Sequence, residues 1–282
     1  MAKLRVLDLF SGIGGFSLGL ERTGGFETVA FCEINPFARR VLAKHWPKVP
    51  CYDDVRTVNA SGLDADGVAR PDVICGGFPC QDISLAGAGA GLAGERSGLW
   101  SEIARLTGEL RPRYVLVENV AALLGRGLDA VLGDLAALGY DAEWHCIPAS
   151  AVGAPHRRDR IWIVAYPNAA ERWPHSASRG RMARANAIPQ GQESAGRFGA
   201  GGEAVANTSR QLLDWSWATG AEGRTKPSNG GWWSAEPDVG RMAHGVPARV
   251  DRLRSLGNAV VPQIPEMIGR AILAAEAHQE AA

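Results

Sequence analysis

Leu4-Arg5-Val6-Leu7-Asp8-Leu9-Phe10 runs directly into Ser11-Gly12-Ile13-Gly14-Gly15, and Phe16-Ser17-Leu18-Gly19-Leu20-Glu21 follows. The first segment reads as a buried strand, the second as a glycine-rich turn, and the third as the start of a helix. A strand, a tight turn and a helix in that order open the nucleotide-binding units of α/β folds. The spacing departs from G-x-G-x-x-G, and the turn lacks the Lys-Ser/Thr of a phosphate loop. The stretch therefore points to an α/β fold without specifying the ligand.

The next segments narrow the ligand. Thr28-Val29-Ala30-Phe31-Cys32-Glu33 reads as a second strand that ends in an acid. An acid at this place can accept hydrogen bonds from ribose hydroxyls. Asp54, in Cys51-Tyr52-Asp53-Asp54-Val55, can accept from an adenine amino group. Each has a plainer reading: Glu33 as a solvated loop acid, Asp54 as a helix N-cap. Together they suit an adenosine ligand held without a phosphate clamp. S-adenosylmethionine meets that description better than a nicotinamide cofactor.

A third strand candidate, Asp72-Val73-Ile74-Cys75, feeds Gly76-Gly77-Phe78-Pro79-Cys80-Gln81. Cys80 then sits past the end of a strand, where α/β folds place their chemistry. Pro79 stiffens the backbone before it, and a thiolate is a strong nucleophile. The plainer reading is a small buried hydrophobe. Arg113 to Val117 reads as another strand, ended by Glu118, which would bring Glu118 and Cys80 to the same sheet edge. Arg158 and Arg160 alternate by two, so on a strand they share a face; a solvated surface pair is the alternative. Ser84 to Gly98 contains five glycines and suits a mobile loop better than a helix.

These blocks resemble the C5 cytosine DNA methyltransferase family, in order and over most of the chain. Asp8 to Phe16 looks like its cofactor loop, Glu33 and Asp54-Val55 like its ribose and adenine contacts, and Gly77-Phe78-Pro79-Cys80-Gln81 like its nucleophile motif. Arg96 to Trp100, Glu118-Asn119-Val120 and Leu138-Gly139-Tyr140 resemble three further blocks, the second carrying the catalytic acid. Arg158-Asp159-Arg160 resembles a Gln-x-Arg-x-Arg block with His156 in the glutamine's place, and Leu256 to Pro262 resembles the final motif, which returns to the cofactor pocket.

The resemblance implies an S-adenosylmethionine-dependent, Rossmann-like α/β fold with a mixed, mostly parallel sheet and a small inserted target-recognition domain. It implies a DNA (cytosine-5-)-methyltransferase acting on double-stranded DNA, with Cys80, Glu118, Arg158 and Arg160 as catalytic residues. Phe10, Ser11, Gly12, Ile13, Gly14, Glu33, Ile34, Asp54, Val55, Asn258 and Ala259 would contact the cofactor, and no metal is expected. Cys80 would add to cytosine C6, Glu118 would act near N3, and the arginines would hold the base's carbonyl oxygen and a phosphate. Asn119 would fix the local backbone. The loop after Cys80 would close over a base flipped from the duplex. The tRNA-modifying branch of the family and a non-catalytic DNA-binding relative are the alternatives.

The chain has 282 residues with 46% hydrophobic content, enough for one large domain and a smaller one. Its net charge is zero, yet Gly153 to Arg210 carries nine arginines against four acids, a local footprint suited to DNA or else a solvated arginine-rich loop. Five cysteines and no secretory leader suggest reduced thiols in a cytoplasm, bacterial or phage-infected. Helices are expected at Pro36–His45, Gly98–Leu110, Leu128–Leu138 and Gln263–Ala275, and strands at Glu143–Ile147 and Arg160–Ala165. Asn168 to about Ala206 lacks periodicity and reads as loop or partial disorder. Trp215, Trp217, Trp232 and Trp233 read as a small core or as stacking residues. The expected division is residues 1–166 with 248–282 for cofactor and catalysis, and 167–247 for target recognition. Arg249 or Arg252 would stand in for an arginine block that the middle region lacks. A monomer with a separate restriction endonuclease as partner completes the expectation.

Overall fold

A computed structural model describes residues 2–79, 98–168 and 249–280. In chain order its elements are β1 (Leu4–Leu9), α1 (Gly15–Arg22), β2 (Phe26–Cys32), α2 (Pro36–His45), β3 (Cys51–Tyr52), α3 (Ala60–Ala65), β4 (Val73–Gly76), α4 (Gly98–Leu110), β5 (Tyr114–Val120), α5 (Leu128–Ala137), β6 (Tyr140–Pro148), β7 (Asp159–Pro167), α6 (Arg249–Asn258) and α7 (Gln263–Glu280). Short 3-10 turns occupy Ala121–Gly125 and Ala149–Val152.

The strands form one sheet in the order β3-β2-β1-β4-β5-β7-β6. The first five pair in parallel, while β7 runs antiparallel to both β5 and β6. The chain moves outward from β1 to β2 and β3, then crosses back to β4. That reversal leaves a crevice above the carboxyl ends of β1 and β4, the place where open α/β sheets bind ligands.

Strand alternation sorts the core onto two faces. Leu7, Leu9, Ile74, Val115, Val117, Ile161 and Ile163 pack with Trp100, Ile103 and Leu106 of α4 and Val131 and Leu135 of α5. Val6, Val73, Leu116, Trp162 and Val164 pack with Phe16 and Leu20 of α1 and Ile264, Ile268 and Ile272 of α7. The second face thus depends on residues distant in sequence. Tyr114 Oη donates to the buried Glu276 carboxylate (2.5 Å), and Arg113 pairs with the same group, which fixes α7 to the start of β5.

The expected helices at Pro36–His45 and Gly98–Leu110 have those bounds in the structure. Pro36 opens α2 while Asn35 Oδ1 caps it, accepting from Phe37 N (2.8 Å) and Ala38 N (3.3 Å). Three expectations are corrected. β5 continues through Glu118 and Asn119 to Val120, because its ladder with β7 extends from Val115↔Ala165 to Val120↔Arg160. Pairing with β7 also starts β6 at Tyr140, ahead of the apolar residues. β3 and α3 were not foreseen; each is short and has little periodicity. The arginine-rich stretch beyond Asn168, the tryptophan cluster, Cys80 and the loop after it as far as Ser97 lie outside the described residues, as does the division at 167–247 apart from Pro167 and Asn168. Arg249 and Arg252 belong to α6.

Candidate active site

The turn after β1 has an unusual backbone. Phe10 has φ 53°, and Gly12 and Gly14 have φ 54° and 86°. A left-handed phenylalanine is costly, and such strain gathers at functional sites. At Gly14 a β-carbon would also lie 2.7 Å from the Trp46 ring. Ser11 stitches the turn to β2: its hydroxyl donates to the Asp8 carbonyl (2.5 Å) and accepts from Cys32 N (3.3 Å). Ile13 and Gly14 then lead into α1.

Glu33 is not a solvated loop acid. Its carboxylate accepts from Gly12 N (2.7 Å) and Asn35 N (2.7 Å), tying the glycine turn to the end of β2. Each oxygen keeps a lone pair for a further donor. The neighbouring Ile34 leaves 72% of its surface exposed, an apolar patch beside that acceptor. Nothing lies within 4 Å of the position a Gly12 β-carbon would take. Acceptor, apolar surface and open backbone fit an adenosine. Asp54 caps a turn rather than a helix: it accepts from Arg56 N (3.0 Å) and Arg56 Nε (2.9 Å), and this hydrogen bonding holds its carboxyl below the usual range. Val55 is 5% exposed with its side chain in the core, so a ligand could meet only its backbone.

The catalytic edge is built by β4, β5 and β7. Glu118 pairs with Trp162 in register, which makes Arg160 its diagonal neighbour on the same face. Arg160 Nε lies 2.9 Å from Glu118 Oε1, and both side chains are largely buried. Burial raises the Glu118 carboxyl above its ordinary range, although Arg160 and Arg158 pull the other way. Gly77 makes room for it, since a β-carbon there would sit 2.9 Å from Glu118 Oε2. Asn119 points to the other face. Its Nδ2 donates to the Phe78 carbonyl (3.2 Å), and its Oδ1 accepts from Val120 N (2.8 Å). The acid's strand thereby holds the backbone two residues before Cys80. Cys80 itself lies outside the described residues.

Arg158 departs from the expected shared strand face. It precedes β7 in a left-handed conformation with φ 39°, so the alternation by two does not apply to it. Its guanidinium donates to the Gly257 carbonyl and, at 3.0 Å, to the Ala259 carbonyl. The geometry makes it a clamp on the C-terminal segment that holds Asn258 and Ala259. The same segment crosses α1, where a β-carbon at Gly15 would lie 2.7 Å from the Val260 carbonyl. Asn258, in the exposed last turn of α6, is thus brought to the α1 side of the sheet from almost a hundred residues beyond Arg160.

Two further residues escaped the sequence reading. The first is Asp8. It is fully buried, and its Oδ2 accepts from Ser17 Oγ (2.7 Å) and Ser17 N (3.3 Å). Ser17 is the third residue of α1, so Asp8 caps a helix whose own N-cap, Gly14, has no side chain to offer. An acid among the apolar residues Val6, Leu7 and Leu9 is the available signal. The second is Arg105, on α4. By contrast Cys32, pushed up to about 12 by burial, and the wholly buried Cys75 are poor nucleophiles.

With this geometry in view, comparison with known proteins is specific. The model of the C-5 cytosine-specific DNA methylase family matches residues 4–199. The type II methyltransferase M2.BsuMI of Bacillus subtilis (strain 168) is 36% identical over 170 residues, 57% of this chain and 42% of that one. M.DsaV of Dactylococcopsis salina is 33% identical over 168 residues, 58% of this chain and 46% of that one. The matched part spans under half the length of these curated relatives. Among solved structures, a candidate DNA modification methyltransferase encoded within a prophage (E. coli) aligns with TM-score 0.51 and 28% identity, covering 60% of this chain and 48% of that one. The family's match runs through the glycine turn, the acid at the end of β2, the nucleophile motif and the Glu118–Arg160 pair, and the chain belongs to the C-5 cytosine-specific DNA methylase family.

Proposed function

We propose that the chain transfers the methyl group of S-adenosylmethionine to C5 of a cytosine flipped out of duplex DNA. The observation that carries this reading is the buried Glu118–Arg160 pair at the end of β4, next to the backbone that leads to Cys80. Cytosine C5 is too weakly nucleophilic to take a methyl group unaided. Cys80 supplies a thiolate whose sulfur bonds to C6, which makes C5 enamine-like. Negative charge then develops toward N3, and Glu118, whose carboxyl burial raises above its ordinary range, is the acid placed to hydrogen-bond there. Arg160 orients that carboxyl and offers its remaining N–H groups to the base's carbonyl oxygen. Arg158 holds the C-terminal segment against the site. The pocket formed by the Phe10–Gly14 turn, Glu33, Ile34 and the Asp54 turn, closed by Asn258 and Ala259, holds the cofactor, which supplies an electrophilic methyl group when bound. Loss of the C5 proton to solvent and breaking of the sulfur–C6 bond free Cys80.

DNA carrying 5-fluorocytosine tests the covalent step, because fluorine cannot leave as a proton does. The wild-type chain, with cofactor, is expected to become trapped on this DNA, and Cys80→Ala to give no adduct. An adduct that survives the substitution would overturn the role of Cys80. Methyl transfer to duplex DNA and to tRNA, measured side by side, decides between the two branches of the family. Target choice is placed in the stretch from 168 to 240, because Glu33, Cys80, Glu118 and Asn258 all lie outside it. Arginine is a residue type suited to phosphates, which position a protein on DNA, and to base edges, which choose the site.

A further inference from the structure

We infer that Arg105 is a positioning residue for cofactor binding, which holds the backbone of the Val55–Val58 turn in the shape that receives the adenine end. This rests on the function proposed above and adds a residue to it. Arg105 lies on α4, far in sequence from the turn it touches. Its Nη2 donates to two carbonyls of that turn, Val55 O (3.1 Å) and Val58 O (2.9 Å). The rest of the guanidinium is held from its own helix: Nε by Glu102 (2.8 Å) and Nη1 by Glu109 (2.7 Å). The spacings i−3 and i+4 put both acids on the arginine's face of α4. Glu109 reaches further and accepts from Ala60 N (3.3 Å), the first residue of α3. One ionic cluster therefore grips both ends of the segment between β3 and α3.

That segment needs an outside brace. Residues 53–59 form neither helix nor strand. Val55 and Val58 are buried, at 5% and 2% exposure, which anchors the side chains while their carbonyls face Arg105. Between the two carbonyls stands Arg56, which pairs with Asp54. The turn itself closes through Thr57, whose N and Oγ1 donate to the Asp54 carbonyl (3.1 and 2.8 Å), and Arg105 ties this closed turn to α4 through the Val55 and Val58 carbonyls. A planar guanidinium can serve four acceptors at once, whereas an ammonium has three donors and no fixed fork.

The test is calorimetry of S-adenosylmethionine with the full chain, comparing wild type, Arg105→Met and Arg105→Lys. Arg105→Met is expected to bind about tenfold more weakly, equivalent to roughly 1.4 kcal/mol. Arg105→Lys should fall between the two, since it keeps the charge and one donor to the turn. In steady state the KM for cofactor should rise with the dissociation constant, while kcat at saturating cofactor and DNA stays within about twofold. In cofactor-free protein, amide exchange at residues 55–60 should be faster in both variants. Wild-type affinity in either variant would overturn the inference while leaving the proposed function in place. A wild-type chain that binds no S-adenosylmethionine would remove the proposed function, and the inference with it. If Arg105→Met does not fold, the lysine variant alone decides.

Discussion

Asp8 is a single residue whose ionisation bears on the whole fold. Burial lifts its carboxyl from the ordinary 3.8 to about 7, although Ser17 hydrogen-bonds to it in the opposite sense. An acid whose folded-state pKa is raised binds its proton more tightly when folded. The stability this gives is complete below the usual aspartate range and is lost as pH rises through about 7. The loss is at most roughly 1.4 kcal/mol for each pH unit in that window. Asp8→Asn keeps an oxygen for Ser17 and cannot ionise. Urea unfolding of both proteins from pH 5 to pH 8 should therefore show wild type losing ground to Asp8→Asn as pH rises. Parallel curves would mean that Asp8 stays ionised throughout.

At the scale of elements, the site is a matter of which strands meet. Residue types and order were enough to read the glycine turn and the acid after β2, because each sits where a strand ends or turns. What was not legible depended on pairing. Nothing in Arg158-Asp159-Arg160 says that β7 begins at Asp159 and leaves Arg158 outside in a left-handed conformation. Nor does Arg105 advertise two carbonyls some fifty residues earlier in the chain. Glu118 was placed past a strand end, whereas the ladder with β7 carries the strand through it. The β4–β5 junction yields a direct test. A β-carbon at Gly77 would lie 2.9 Å from Glu118 Oε2, so Gly77→Ala must displace the acid or the backbone. A shift of about 1 Å at a reacting group can cost on the order of 100-fold. The expected result is a kcat reduced by about that factor with calorimetric affinity for cofactor unchanged. Full activity in this variant would show that Glu118 can be moved without consequence, and would count against its role.

At the scale of the molecule, α7 and the segment before it complete one side of the sheet. Gly19 of α1 is where they come closest: a β-carbon there would strike the Pro262 carbonyl and lie 2.7 Å from Pro265 Cγ and 3.0 Å from Glu266 N. Two effects of Gly19→Ala oppose each other. Alanine favours the helix by about 1 kcal/mol, while overpacking against backbone costs about 1–3 kcal/mol. Backbone atoms cannot rotate away, so a net loss of stability is expected in urea unfolding, and a gain would show that the contact is slack. The same contact has a consequence in time. During synthesis Arg160 emerges about 100 residues before Gly257 and α7. At about 5–20 residues per second that gap lasts roughly 5–20 s. Throughout it the newborn chain already has the acid and its arginine partner, but Phe16, Leu116 and Trp162 await Ile264, Ile268 and Ile272. Until α7 leaves the ribosome, this face of the sheet keeps its apolar side chains uncovered.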